Sequence, residues 1–130
     1  MGTIKQRFTL ASAGSATTTS AGFTVNFNDS LPIEQPVVNM ASGTVTSSTG
    51  PDTLISNSVS GVTYVYIKYV SAAAGTPTMV VSTVAGTQNF SDLTVGEAVF
   101  MPLKGATGIR VTSSDTNAIR YEYGYWTKDV

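Results

Sequence analysis

Val62-Thr-Tyr-Val-Tyr-Ile-Lys-Tyr-Val70 sets the fold class of this chain. At a period of two, Val62, Tyr64, Tyr66, Lys68 and Val70 share one face, and Thr63, Val65, Ile67 and Tyr69 share the other. β-Branched and aromatic side chains favour an extended backbone, and both faces are too apolar to stand in water along their length. The stretch reads as a strand covered on both sides, either in the middle of a sandwich or on a sheet whose outer face meets another subunit.

The same pattern recurs on either side of it. Short runs rich in Val, Ile, Thr and aromatics predict strands at 5–10, 23–27, 37–42, 78–84, 98–103, 108–112 and 118–127, separated by Gly, Pro, Asn and Asp. Helix formers are scarce. The expectation is an all-β chain, a single domain over residues 1–130 built as an antiparallel β-sandwich or jelly-roll-like barrel of about eight short strands. Residues 57–61, Gly75 with Pro77, 85–89, 105–108 and 113–117 read as turns. The last of these predicts a hairpin pairing 108–112 with 118–127.

Two tracts lack apolar bulk. Residues 11–22 contain only Ala, Ser, Gly and Thr, and residues 41–50 are nearly as plain. Each reads either as a mobile loop or as a flat strand that orders when a neighbouring subunit covers it, and the N-terminal segment 1–22 is the prime candidate for such ordering.

Composition narrows the function. The chain has 130 residues with 7 Lys plus Arg against 8 Asp plus Glu, so no basic footprint exists for gripping a phosphate backbone, and direct nucleic-acid binding is not expected. No apolar run approaches the roughly 20 residues that span a bilayer as a helix, so no membrane partner is expected. Charged residues make up 12% of the chain, against about 25% in ordinary soluble domains. Weak repulsion between copies suits a surface that neighbours will cover, and a homo-oligomer is expected. Met1 runs through Lys5 and Arg7 into the Ser/Thr tract with no apolar leader, and there is no Cys, which points to folding in a reducing cytosol.

Catalytic chemistry is poorly supplied. With no His and no Cys, the common acid-base and nucleophile systems and the best metal ligands are missing, so neither an enzyme nor a cofactor is expected. Of the eight acids, only Glu97 and Glu122 fall near strand interiors, and both read as solvated or Arg-paired carboxylates. Arg110 and Arg120, on the two strands of the predicted hairpin, are natural partners for Glu122 or for a neighbour.

Aromatic residues are the positive feature. Tyr121, Tyr123 and Tyr125 share one face of the last strand and Trp126 takes the other. Trp126 reads as core, because large aromatics dominate cores, whereas three hydroxyls on one face are hard to satisfy inside a small domain and should place at least one tyrosine against water or a partner. Together with Tyr64 and Tyr66 of the first strand and Arg110 and Arg120, they form the predicted set of interaction residues. The alternative use of Tyr121, Tyr123, Tyr125 or Trp126 is a platform for sugar rings in a carbohydrate-binding β-sandwich.

Three segments carry a family resemblance. Val95-Gly-Glu-Ala-Val-Phe-Met-Pro-Leu-Lys104, Gly108-Ile-Arg-Val-Thr112 and Ala118-Ile-Arg-Tyr-Glu-Tyr-Gly-Tyr-Trp-Thr-Lys128, in roughly the last third of the chain, resemble the C-terminal part of small structural proteins of tailed bacteriophages. The resemblance implies a virion component present in many copies, assembled in the host cytoplasm, of the kind that decorates or cements a capsid shell. It also implies the major capsid protein or other virion proteins as partners. A tail, neck or head-fibre protein is the alternative within the same class. A coat like those of small RNA phages fits the length but lacks the basic strand face.

Overall fold

The structure is a computed structural model that describes residues 2–11, 24–85 and 87–128. It is all-β. Nine strands follow in chain order: β1 (Gly2–Ala11), β2 (Thr24–Val45), β3 (Asp52–Ile55), β4 (Thr63–Ala72), β5 (Met79–Thr83), β6 (Asn89–Leu93), β7 (Ala98–Leu103), β8 (Ile109–Ser113) and β9 (Ile119–Lys128). They form two antiparallel sheets, a long one in the order β1-β2-β9-β4-β7 and a short one in the order β3-β8-β5-β6. Most of the tract at 11–22 lies outside the described residues.

The alternation read in β4 selects which face is core. Thr63, Val65, Ile67 and Tyr69 are essentially without solvent exposure and face the short sheet, where Met79, Val81, Ile109 and Val111 are equally buried. Register carries this choice sideways: Val65, Ile67 and Tyr69 sit opposite Tyr125, Tyr123 and Tyr121 of β9, so the odd positions of β9 also point inward. Ile119 and its partner Val45 complete the layer.

Three sequence expectations are corrected. The strands β8 and β9 do not form a hairpin: β8 pairs with β3 and β5 in the short sheet, and β9 pairs with β2 and β4 in the long one. The segment between them crosses from sheet to sheet, and hydrogen bonds from Ser113 Oγ to the Asn117 carbonyl and from the Asn117 amide to Asp115 Oδ1 shape the crossing. The stretch at 23–27, of which residue 23 lies outside the described residues, and the stretch at 37–42 are not two strands: 24–27 and 37–42 belong to one 22-residue strand, β2, because β9 takes over as partner where β1 ends. The plain tract at 41–50 needs no neighbour to order it. Its first half pairs with β9 in the middle of the long sheet, and its second half is a turn in which Thr46 Oγ1 accepts from the Thr49 amide at 3.0 Å.

The connections set the edges of each sheet. Only the β1-β2 and β5-β6 links stay within a sheet, and every other link crosses the sandwich. In the short sheet the edge strands β3 and β6 have 4 and 5 residues. In the long sheet, edge strand β7 carries Pro102, which cannot donate to a further strand, whereas edge strand β1 runs 10 residues without a proline.

Strand β1 is also the least anchored element. It pairs with β2 from residue 24 to Ile33, and β9 pairs with β2 from Ile33 onward, so its two partners overlap at one position. Beyond that point β1 and β2 form a two-stranded ribbon about 30 Å long. Three register shifts between Ile33 and Ala41 break the β2-β9 ladder where the ribbon leaves the body.

Candidate functional site

The outer face of the long sheet is where the aromatic surface collects. Tyr64 and Tyr66 of β4 lie there, opposite Trp126 and Gly124 of β9 on one side and Pro102 and Phe100 of β7 on the other. The rings of Tyr64 and Phe100 stack with centroids 6.0 Å apart and planes 13° from parallel. Lys128 Nζ sits 6.0 Å from the Tyr64 ring centre, a cation over an aromatic face. The Tyr66 hydroxyl donates to Glu122 Oε1 at 3.2 Å. Burial, then that hydrogen bond and the carboxylate charge, push the Tyr66 phenol above its ordinary value.

The ribbon folds back over this face. Between them is a groove of about 320 Å³, lined by Ile4, Lys5, Gln6, Arg7 and Phe8 from β1 and by Tyr66, Phe100 and Trp126 from the body sheet. Ile4, Gln6 and Phe8 share one parity along β1 and bring its apolar side chains to the groove, while Lys5 and Arg7 of the other parity border it too. The cover is incomplete, with Phe8 and Leu10 exposed at 44% and 49%. Farther along the same outer face, Met40, Ser42, Arg120 and Glu122 border a shallower, more polar hollow, with Met40 56% exposed.

The residues singled out in the sequence thus separate into three environments. Tyr64, Tyr66, Trp126 and Arg120 share the outer face of the long sheet. Tyr121 and Tyr125 belong to the core, and Tyr123 is partly buried against it. Arg110 lies on the short sheet, where its Nε donates to Ser82 Oγ at 3.2 Å across the β5-β8 ladder.

Trp126 is therefore not core, contrary to the reading from its size. Its even position sets it opposite Tyr64, outside, because the odd positions of β9 register with the fully buried odd positions of β4. The core takes the tyrosines, and it satisfies their hydroxyls in part. The Tyr69 hydroxyl donates to the Pro77 carbonyl at 2.8 Å, and the Tyr121 hydroxyl crosses between the sheets to donate to Asp52 Oδ2 at 2.8 Å. A sugar platform built on Tyr121 and Tyr125 is consequently not available at the surface. Glu122 accepts from Tyr66, not from the arginine of a hairpin partner. Glu97 is exposed and accepts from the amide and hydroxyl of Thr94, bonds that hold its carboxyl below the usual range and brace a turn.

The Tyr121 bridge depends on Gly43. A Cβ there would collide with the Tyr121 hydroxyl, so glycine is what lets the ring cross β2 toward Asp52. Tyr121→Phe is expected to lower stability by about 1–2 kcal/mol, read as a shift in denaturant midpoint at unchanged slope. An unchanged midpoint would mean the bridge contributes nothing.

Phe8, Leu10 and the hollow around Met40 escaped the sequence reading. The parity of Ile4, Gln6 and Phe8 was visible, but nothing local shows that β1 bends back over β4. Among the described residues no cluster of three or more His, Cys, Asp or Glu is grouped to hold a metal ion, and no helix is long and apolar enough to cross a membrane. Comparison with known proteins finds no matching family, no significantly similar curated protein and no significantly similar solved structure.

Proposed function

We propose that this chain is a non-enzymatic structural component of a bacteriophage virion, a decoration or cement protein that braces the shell by contacts bridging neighbouring subunits. The observation that carries the reading is a sheet with two apolar faces. One face closes the core, and the other presents the half-buried Tyr66, Phe100 and Trp126, with Tyr64 buried beside them, beneath a ribbon that leaves a groove over them. A surface of this kind works by being covered, and tyrosine and tryptophan are the residues most often found where protein surfaces meet. The low charge of the chain lets copies and partners approach. The resemblance of its last third to small tailed-phage structural proteins supplies the kind of assembly. The major capsid protein and other virion proteins are the proposed partners.

The test is on particles. Purified virions should contain the protein in many copies, and particles from a deletion phage should release their genome at lower temperature than the parent. Virions without the protein sink the reading altogether. Deletion particles with full heat resistance remove the cementing role. Location on the tail or neck by electron microscopy would replace decoration of the head.

A further inference from the structure

We infer that the β1-β2 ribbon is an exchange arm: in solution the ribbon of one copy seats in the groove of another, against its Tyr66, Phe100 and Trp126. The inference rests on the reading of this protein as one that works through covered surfaces, but not on the identity of the particle.

The occupant is known from the chain itself. The groove fits the ribbon because the ribbon already lies along it, with Ile4 and Phe8 facing Tyr66, Phe100 and Trp126. Whatever favours that contact within one chain favours it equally between two, since the touching atoms are the same.

The body does not need its own ribbon. Among the described side chains, no residue of β1 belongs to the core cluster, and the β2 member is Val45, twelve positions beyond the last β1 pairing at the buried Ile33. The core cluster between the two sheets is drawn, among the described side chains, from Val45 onward and so lies apart from the ribbon. The ribbon, by contrast, depends on the body. A two-stranded hairpin is marginal in water without an apolar surface to lie on.

The hinge is present. Between Ile33 and Ala41 the β2-β9 ladder survives only as separate pairings at Pro36 and Val38, each flanked by a register shift. Backbone angles there can change at the expense of two pairings. Exchange then alters the hinge alone, which is why swapping an element is an inexpensive route to an oligomer.

Two measurements test the arm. The chain has no Cys, so any disulfide is engineered. Gln6→Cys and Phe100→Cys, made as separate proteins and mixed under mild oxidation, should cross-link to each other at least about tenfold faster than either does alone. Sedimentation of the unaltered protein should show concentration-dependent association. Ile4→Asp with Phe8→Asp should weaken it by about tenfold or more in Kd while the near-ultraviolet dichroism of the core tyrosines is kept. A protein that sediments as a monomer at every concentration overturns the inference. So does an oligomer whose mixed cysteine variants fail to join while a chain carrying both closes on itself. Either result leaves the presence of the protein in virions to be decided separately.

Discussion

Gly105→Ala is expected to destabilise the fold by about 3 kcal/mol or more, enough to leave a small domain largely unfolded or near its threshold. The turn between β7 and β8 packs on the loop between β3 and β4, and the Ala106 amide donates to the Val59 carbonyl at 2.7 Å. At Gly105 the backbone runs directly onto Ser60, and an added Cβ would collide with the Ser60 carbonyl oxygen and stand 2.7 Å from its carbon. The obstacle is main chain, so no side-chain rotation relieves it. One of the two loops must move, and the adjacent Ala106 already sits at a φ of 63°, in the left-handed region that tolerates little further distortion. Chemical denaturation of the variant beside the parent measures the cost. A loss under about 1 kcal/mol would show that the two loops slide apart freely, contrary to their hydrogen-bonded packing.

The second large effect is alkaline unfolding. Burial raises the phenols of Tyr66, Tyr69, Tyr121 and Tyr125 above their ordinary value, and Glu122, Asp115, Asp52 and Tyr123 respectively add to the shift. The unfolded chain therefore releases these protons first. Above about pH 10 it binds fewer protons than the native state, and stability falls as pH rises, by at most about 1.4 kcal/mol per pH unit for each phenol still protected. Below that pH the four tyrosines are neutral in both states and contribute no slope. Phenolate absorbance should appear in one step together with loss of near-ultraviolet dichroism, and Tyr121→Phe should make the step shallower. Free titration of Tyr66, Tyr69, Tyr121 and Tyr125 near pH 10 in an intact fold would contradict the burial assigned to these four.

Strand existence was largely legible because most strands alternate cleanly. β7 falls where period two puts it, β5, β8 and β9 within about a residue, and β4 within about two. β3 and β6 were missed because they are short and hardly alternate: β6 begins in a predicted turn and exposes Phe90. β2 was split in two because Asn28, Asp29 and Pro32 read as breakers, whereas the strand continues there by changing partners.

Sheet membership was harder to see. β8 and β9 both alternate with the same parity inward, which suits a hairpin and two facing sheets equally. For Trp126 the period separated it correctly from the tyrosines, but only the pairing with β4 says which side is core. The groove was invisible for a similar reason. It depends on a bend in β2 made of register shifts, and those belong to pairing, not to any one residue.

The two edges of the long sheet are unlike. β7 ends it with Pro102, so a strand arriving there finds a donor missing, while β1 offers an unbroken ten-residue backbone. A sheet with two open edges can recruit copies without limit and is the starting point of fibres. A sheet open on one side only can take one strand, and the copy that docks must do so with its own open edge. Strand addition to the long sheet is therefore favoured at β1 and hindered at β7. This asymmetry is built into the connectivity, and it leaves the long sheet one edge, not two, at which a further strand meets a full row of donors.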